Sequence, residues 1–113
     1  MDKEIRTWLY DIQKSISEID SYFLNEPKLF ENFVNDTKTK RAVERDLEII
    51  GEAVTRIMKN DPEFPLSNYR KIISTRNYII HSYEKISDET IWSIVINHLP
   101  LLKSEVDALL QQI

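Results

Sequence analysis

The residues best suited to chemistry lie in one ten-residue segment, Ser74 to Tyr83. Arg76 and His81 stand five positions apart in it, and Tyr83 follows two positions after the histidine. Histidine titrates near neutral pH, so it can take the proton of an RNA 2′-hydroxyl or protonate a leaving 5′-oxygen. Arginine offers a planar fork of N–H donors to the charge that builds on phosphorus-bound oxygens. The segment therefore predicts phosphodiester transfer, with Tyr83 orienting the histidine or contacting the substrate.

Helical geometry limits how the two side chains can meet. An apolar line through Tyr69, Ile72 and Ile79 predicts a helix, and Arg76 falls on that line. Five residues of an ideal helix turn through roughly 500°, which leaves Arg76 and His81 about 140° apart. They converge only if the helix loosens near His81 or if His81 meets the arginine of another chain. Because each chain supplies one such histidine, two chains most easily fill separate acid and base roles.

Four further residues near this segment are candidate RNA contacts. Arg70 and Lys71 precede it by a turn of helix and are suited to holding an RNA backbone. Tyr78 lies just off the apolar line and is suited to stacking on a base. Asn77, next to the arginine, is the fourth candidate.

The composition predicts that long helices carry these residues. The 113 residues suffice for one domain, residues 1–113, with a real core, but are too few for two. One glycine and four prolines leave little of the turn chemistry that an all-β protein needs at every hairpin. We therefore expect an all-α fold, an up-and-down bundle of four main helices plus one short helix.

Apolar residues at steps of three and four locate the first helices. The first long helix is expected from about Asp2 to Leu24, and a short helix follows through Leu29, Phe30 and Phe33. The segment Asn25-Glu26-Pro27 separates them, because proline is tolerated only at a helix start.

The later helices are bounded by capping residues and prolines. The second long helix is expected from a cap at Asp36 or Thr37 to about Lys59, with Gly51 inside it as a sign of close approach by another helix. Ser67 or Asn68 is expected to cap the third, which should fray from His81 to Glu84. The last should begin at Ser87-Asp88-Glu89 and kink at Pro100.

Composition and charge exclude several classes of site and location. Cysteine is absent, so disulfides and thiolate metal sites are excluded, and no carboxylate cluster has metal-ligand spacing. We therefore expect neither a metal nor a cofactor. No apolar run approaches the length of a bilayer, and residues 1–6 are charged rather than signal-like, so a cytoplasmic protein without membrane contact is expected. The net charge, 15 − 19 = −4, argues against a broad nucleic-acid surface, so RNA contacts should be local.

Residues along the whole chain resemble one known family. The pattern Arg-x4-His-x-Tyr on the third long helix resembles the HEPN superfamily, specifically its HepT branch. The segment Arg41 to Ala53 resembles that branch's second-helix signature, and Phe64-Pro65, Ile91-Trp92 and Leu99-Pro100-Leu101-Leu102 also fit. The Arg-x4-His motif alone has low specificity for the family. The motif together with these segments, in this order and at these intervals, is specific for it.

The resemblance implies a function, a partner and site residues. HepT-like proteins are dimeric, metal-independent ribonucleases that act as toxins, and their motif arginine and histidine match Arg76 and His81. Two motifs face each other across the dimer to form one composite cleft. The implied partner is a minimal nucleotidyltransferase of the MntA type, which neutralises the toxin and can adenylylate the tyrosine matching Tyr83 from ATP. Ser82 stands where a glycine often follows the histidine, and the tryptophan common after the proline is absent, which puts substrate fit and partner docking in doubt.

Other interpretations remain open. In one alternative, Arg76 is structural: it pairs with a carboxylate such as Glu48 or Glu52 and holds the bundle together. His98, which has no arginine in a comparable position, is interpreted as structural. A second function is a non-catalytic subunit that presents RNA or nucleotide to a nucleotidyltransferase. A third is a plain helical dimerisation module.

Overall fold

The fold is all-helical in the part of the chain that the computed structural model describes, residues 1–82 and 86–112. The helices there are α1 (Lys3–Ser21), α2 (Phe30–Val34), α3 (Thr37–Asn60), α4 (Tyr69–His81), α5 (Asp88–Ser93) and α6 (Leu99–Gln111), with a π-helical turn (Ile94–His98) joining α5 to α6. Counting α5 to α6 as one interrupted helix gives the four main helices and one short helix that the sequence predicts. None of the described helices combines the length and apolarity needed to cross a bilayer.

Local capping chemistry starts α1, α3 and α5. The Asp2 carboxylate accepts hydrogen bonds from the backbone N–H groups of Glu4 and Ile5, which have no partner inside α1. The Asp36 carboxylate does the same for Thr39 at the start of α3, and Ser87 accepts from a backbone N–H of α5. The predicted helix starts are therefore confirmed.

The core lies along α3, which packs against α1 and α4, while α6 packs against α1 and α2 covers part of α3. The predicted core line of α3 is fully buried, and its members are Val43, Leu47, Ile50, Val54 and Ile57. Burial of each of these side chains stabilises the fold by about 1.5–3 kcal/mol. Because its two flanks both meet helices, α3 is the element that fixes where α1 and α4 lie.

α4 starts at the predicted position but without a side-chain hydrogen bond at its cap. Asn68 occupies the cap position in a left-handed backbone conformation, φ 58°, and its side chain makes no cap hydrogen bond. Ser67 instead donates from its backbone N–H and its hydroxyl to the Glu105 carboxylate on α6, at 3.0 and 2.7 Å. The prediction that Ser67 or Asn68 caps α4 is therefore confirmed for Asn68, although its side chain makes no cap hydrogen bond and the Ser67 side chain binds Glu105.

The sequence predicts a kink at Pro100, and the structure has a π-helical turn just before that residue. Proline has no backbone N–H, so the regular hydrogen-bond ladder cannot continue through it. At the end of the turn the backbone N–H of Leu99 donates to the carbonyl of Ile94, five residues earlier. This wider turn leads into α6, and Pro100 lies in the first turn of that helix. Backbone N–H groups in a first turn have no partner inside the helix, so the missing N–H of Pro100 costs no hydrogen bond there.

Candidate active site at the crossing of α3 and α4

Arg76 crosses α3 at its only glycine. A Cβ atom at Gly51 would lie 2.6 Å from the Cγ of Arg76 and closer still to its Cβ, far inside van der Waals contact. The two helices therefore approach each other through the missing side chain, and the close approach predicted at Gly51 is confirmed. The stem of Arg76 is held against the backbone of α3.

The guanidinium of Arg76 is held by two hydrogen bonds. Its Nη2 donates to Oε2 of Glu52 at 2.5 Å, and its Nη1 donates to Oδ1 of Asn77 at 2.9 Å. The other oxygen of Glu52 accepts from Nε of Arg56 at 2.9 Å. The Arg76 side chain is 21% exposed, and its Nε is buried without a partner in residues 1–82 and 86–112. The ion pair expected under the structural interpretation of Arg76 is therefore present, with Glu52; Glu48 pairs with Arg45 instead.

An open cleft of about 320 Å³ lies beside this crossing. Trp8 and Asp11 of α1 form one wall, Arg76 and Ile80 of α4 form the other, and residues of α3 form the floor. The charged lining residues are three arginines and three carboxylates, Arg45, Arg56, Arg76, Asp11, Glu48 and Glu52. Since 3 − 3 = 0, the cleft carries no net charge of its own.

His81 lies outside this cleft. It is the last residue of α4, is exposed, and makes no hydrogen bond or ion pair with Arg76 within the described residues. The helix does not loosen before His81, so the two side chains do not meet by the first of the two predicted routes. Contact between His81 and the arginine of another chain is the second route. Asn77, which accepts a hydrogen bond from Arg76, precedes His81 by four positions, one helical turn.

The other predicted RNA contacts of α4 are on its solvent side. Arg70, Lys71, Asn77 and Tyr78 are all exposed, Tyr78 at 44%. Arg70, Asn77 and His81 follow one another at spacings of seven and four, so an ideal helix places them within about 40° on one face. The guanidinium of Arg70 lies 5.3 Å from the ring centre of Tyr69. Tyr83 lies outside the described residues.

The chain also contains a buried polar contact that was not among the sequence predictions. Tyr22 donates its hydroxyl to Oδ2 of Asp46 at 2.6 Å, and Asp46 is only 2% exposed. Burial raises the pKa of Asp46 to about 6; the hydrogen bond from Tyr22 opposes that rise and the neighbouring Glu18 carboxyl adds to it. Burial, then the contact with Asp46, raises the pKa of Tyr22 to about 12. The sequence contains a sign of this burial, because Asp46 follows Val43 by three positions and precedes Ile50 by four and so falls on the apolar line of α3.

Two further observations concern candidate ligands. Within residues 1–82 and 86–112, no group of three or more histidine, aspartate or glutamate side chains is arranged to hold a metal ion. The Nδ1 atom of His98 is buried without a partner there, which fits a packed histidine in the π-helical turn.

Comparisons with known proteins confirm the family resemblance. The family model described as "Ribonuclease HepT-like" matches residues 12–109. A "Putative RNase" of Methanocaldococcus jannaschii is 38% identical over 116 aligned positions, covering 98% of this chain and 91% of that protein. A "Probable ribonuclease HepT" of Thermococcus cleftensis is 34% identical over 114 positions, covering 96% of this chain and 98% of that protein. A "Putative RNase" of Caldanaerobacter subterraneus is 36% identical over 84 positions, covering 74% of this chain and 75% of that protein.

No solved structure matches the chain. The family match covers all of α3 and α4, and therefore Gly51, Glu52, Arg76 and His81. The chain belongs to the HepT-like ribonuclease family of the HEPN superfamily.

Proposed function

We propose that this chain is a metal-independent endoribonuclease toxin that cleaves RNA by attack of a 2′-hydroxyl on the adjacent phosphodiester. Membership of the HepT-like family supports ribonuclease activity. The observation that carries the finer proposal is the half-buried guanidinium of Arg76, held at the rim of an open cleft on the helix that ends at His81. A fixed cation and an exposed histidine, brought together in one site, supply the two groups that phosphodiester transfer needs.

In the proposed reaction, His81 moves protons and Arg76 stabilises charge. As base, the His81 imidazole takes the proton of the 2′-hydroxyl while the 2′-oxygen forms a bond to phosphorus. The bond from phosphorus to the 5′-oxygen then breaks, and the leaving oxygen takes a proton from an imidazolium. The products are a 2′,3′-cyclic phosphate and a free 5′-hydroxyl. Arg76 donates to the phosphorus-bound oxygens, on which negative charge grows during the transfer.

A homodimer supplies the second motif histidine that one chain lacks. Arg76 and His81 do not meet within a chain, and one imidazole cannot serve as base and acid at the same moment. Two chains bring two such histidines to one composite cleft. Exposed Arg70, Lys71, Asn77 and Tyr78 on α4 are the proposed contacts to the RNA backbone and bases.

The proposed partner is a minimal nucleotidyltransferase antitoxin of the MntA type. It would transfer AMP from ATP to the hydroxyl of Tyr83, releasing pyrophosphate. Tyr83 follows His81 by two positions in the chain, so a bulky, charged group on it would act close to the proposed acid–base residue.

The test is cleavage of total cellular RNA by the purified chain in EDTA. Wild type should cleave and leave cyclic phosphate ends, whereas His81→Ala and Arg76→Ala should each lose cleavage by at least about 100-fold while staying folded. His98→Gln is the matched control, because it removes the other histidine, outside the cleft, and should keep full activity. Loss of folding in both site variants would make the pair structural instead.

A non-catalytic subunit is the second candidate function. The balanced charges of the cleft and the net charge of −4 favour it, because neither attracts RNA over a wide surface. Expression without the nucleotidyltransferase separates the two functions. Growth arrest that His81→Ala abolishes supports the toxin, whereas harmless wild type that still binds a nucleotidyltransferase supports the binding subunit.

A further inference from the structure

We propose that Glu52 is a positioning residue for Arg76, and that Arg56 in turn holds Glu52. The inference rests on the proposed function, since it assigns a task to the residue that orients the charge-stabilising guanidinium. Glu52 touches neither phosphate nor proton in this scheme and acts only through Arg76.

The two oxygens of Glu52 have different partners on different helices. Oε2 accepts from Nη2 of Arg76 on α4 at 2.5 Å, and Oε1 accepts from Nε of Arg56 on α3 at 2.9 Å. Glu52 and Arg56 are four residues apart and face the same side of α3. Because both oxygens accept hydrogen bonds, the carboxylate cannot rotate without breaking one of them. The fixed carboxylate in turn fixes the position of the Arg76 guanidinium.

Gly51 and Glu52 hold opposite ends of the Arg76 side chain. The Cβ and Cγ of Arg76 pass so close to Gly51 that no side chain fits there, whereas the guanidinium bonds to Glu52 and Asn77. A long flexible side chain fixed at both its stem and its tip has little freedom left to lose when a phosphate binds. Preorganisation of this kind raises the rate of the chemical step.

The arrangement also keeps positive charge and free donors for a substrate. Arg76 and Glu52 alone would cancel, but Arg56 gives the three residues a net charge of +1. A guanidinium has five N–H donors. One on each Nη is used by Asn77 and Glu52, and the Nε donor is buried. One donor on each Nη therefore remains for the oxygens of a phosphate.

A plain ion pair between helices is the competing explanation, and the chain offers a matched control for it. Lys40 of α3 pairs with Asp88 of α5 at 3.3 Å, with side chains 13% and 22% exposed. This pair also joins two elements but lies away from Arg76. Asp88→Asn should therefore lower the thermal unfolding midpoint without changing kcat.

The kinetic experiment compares kcat and KM for RNA cleavage. Glu52→Gln should lower kcat by about 10- to 100-fold and change KM by less than about 3-fold, because orientation matters most when charge grows in the transition state. Arg56→Gln, at an exposed position, should lower kcat by about 3- to 10-fold without loss of folding. Wild-type kcat in Glu52→Gln would overturn the proposal, and so would a fall in kcat that Asp88→Asn reproduces. Wild-type kcat in Arg56→Gln alone would overturn the part that assigns Arg56 to holding Glu52.

A spectroscopic experiment measures Arg76 without using activity. The buried Nε–H of Arg76 should give a protected ¹H–¹⁵N resonance, assigned by its loss in Arg76→Lys. Exchange of this proton should be at least about tenfold faster in Glu52→Gln and unchanged in Asp88→Asn. Unchanged protection in Glu52→Gln would show that Glu52 does not fix the guanidinium, whatever happens to kcat.

Together the two readouts separate the inference from the proposed function. If wild type does not cleave RNA, the proposed function fails, and loss of protection in Glu52→Gln still supports positioning of Arg76 by Glu52. If wild type cleaves and Glu52→Gln keeps either wild-type kcat or wild-type protection, the inference fails and the ribonuclease proposal stands.

Discussion

Gly51 and Arg76 share one crossing point, and neither can change without affecting the other. A Cβ atom at Gly51 would lie within 2.6 Å of the Arg76 stem, which leaves no room for a methyl group. The atoms that would clash, Cβ and Cγ of Arg76, form the base of a side chain rather than a flexible tip, so relief requires movement of α3 or α4. The glycine is therefore a condition for the position of Arg76.

Gly51→Ala should destabilise the protein although alanine is the better helix former. Helix propensity favours alanine by about 1 kcal/mol, but overpacking a close contact costs about 1–3 kcal/mol. We expect a net loss of up to about 2 kcal/mol in the free energy of unfolding, measured by urea denaturation. Lys59→Ala, an exposed change on the same helix, is the control and should stay within about 0.5 kcal/mol of wild type. A more stable Gly51→Ala protein would contradict the close approach.

Asp46 should make the free energy of unfolding fall as the pH rises from about 4 to about 6. Burial raises its pKa from 3.8 to about 6 in the folded state, so between about pH 4 and pH 6 the folded state binds more protons than the unfolded state. The free energy of unfolding contributed by this group therefore falls as pH rises through that window and is constant above it.

The measurement is urea denaturation of wild type and Asp46→Asn from pH 4 to pH 7. Asparagine keeps an acceptor for Tyr22 but does not titrate. The stability of wild type relative to Asp46→Asn should fall by on the order of 1–3 kcal/mol as the pH rises. A difference that rises or stays flat over this range would contradict the raised pKa of Asp46.

At the scale of elements, α4 begins in a way that depends on backbone conformation rather than on a capping side chain. Asn68 has φ 58°, a left-handed conformation that asparagine tolerates better than most residues. Ser67 ties the same turn to Glu105 of α6 through three hydrogen bonds. These two residues set where α4 starts, and thereby how far along α3 Arg76 lies.

Substitutions at Asn68 should follow the cost of the left-handed conformation. Asn68→Gly should raise the free energy of unfolding by up to about 1 kcal/mol, and Asn68→Val should lower it by about 1–2 kcal/mol. Thermal unfolding midpoints measure both, with RNA cleavage at 25 °C as a check that the site is intact. Equal stabilities for the glycine and valine variants would show that this turn is not strained in solution.

At the scale of the whole molecule, the proposed reaction needs more than one chain supplies. The cleft beside Arg76 is neutral in sum, the chain carries −4, and the exposed His81 does not line that cleft. A second chain is the simplest source of the missing acid or base group. This is why the proposed reaction is assigned to a composite cleft.

Mixed dimers test the composite cleft directly. Wild type and His81→Ala are unfolded together in varied ratios, refolded and assayed for cleavage at constant total protein. If each active site needs both histidines, activity follows the square of the wild-type fraction, so an equal mixture keeps about one quarter. Activity proportional to the wild-type fraction, about one half, would mean that one histidine suffices for each active site and would contradict the two-histidine cleft.

Local patterns in the sequence were enough to predict much of the fold. The steps of three and four in α3, the aspartates at the starts of α1 and α3, and the interruption before Pro100 depend on residues only a few positions apart. Capping and periodicity act over a single turn of helix, so one chain segment contains all the information they need. The same reasoning placed an arginine on the apolar line of α4 and interpreted Gly51 as a sign of close approach, which the structure confirms.

Tertiary structure decided which groups meet. Glu48 and Glu52 lie one turn apart on α3, and only the crossing of α4 selects Glu52 as the partner of Arg76. The diversion of Ser67 to Glu105 and the contact between Tyr22 and Asp46 join residues 38 and 24 positions apart. Such contacts depend on how packed helices are rotated and offset, which is a property of two faces together and is not encoded within either helix alone.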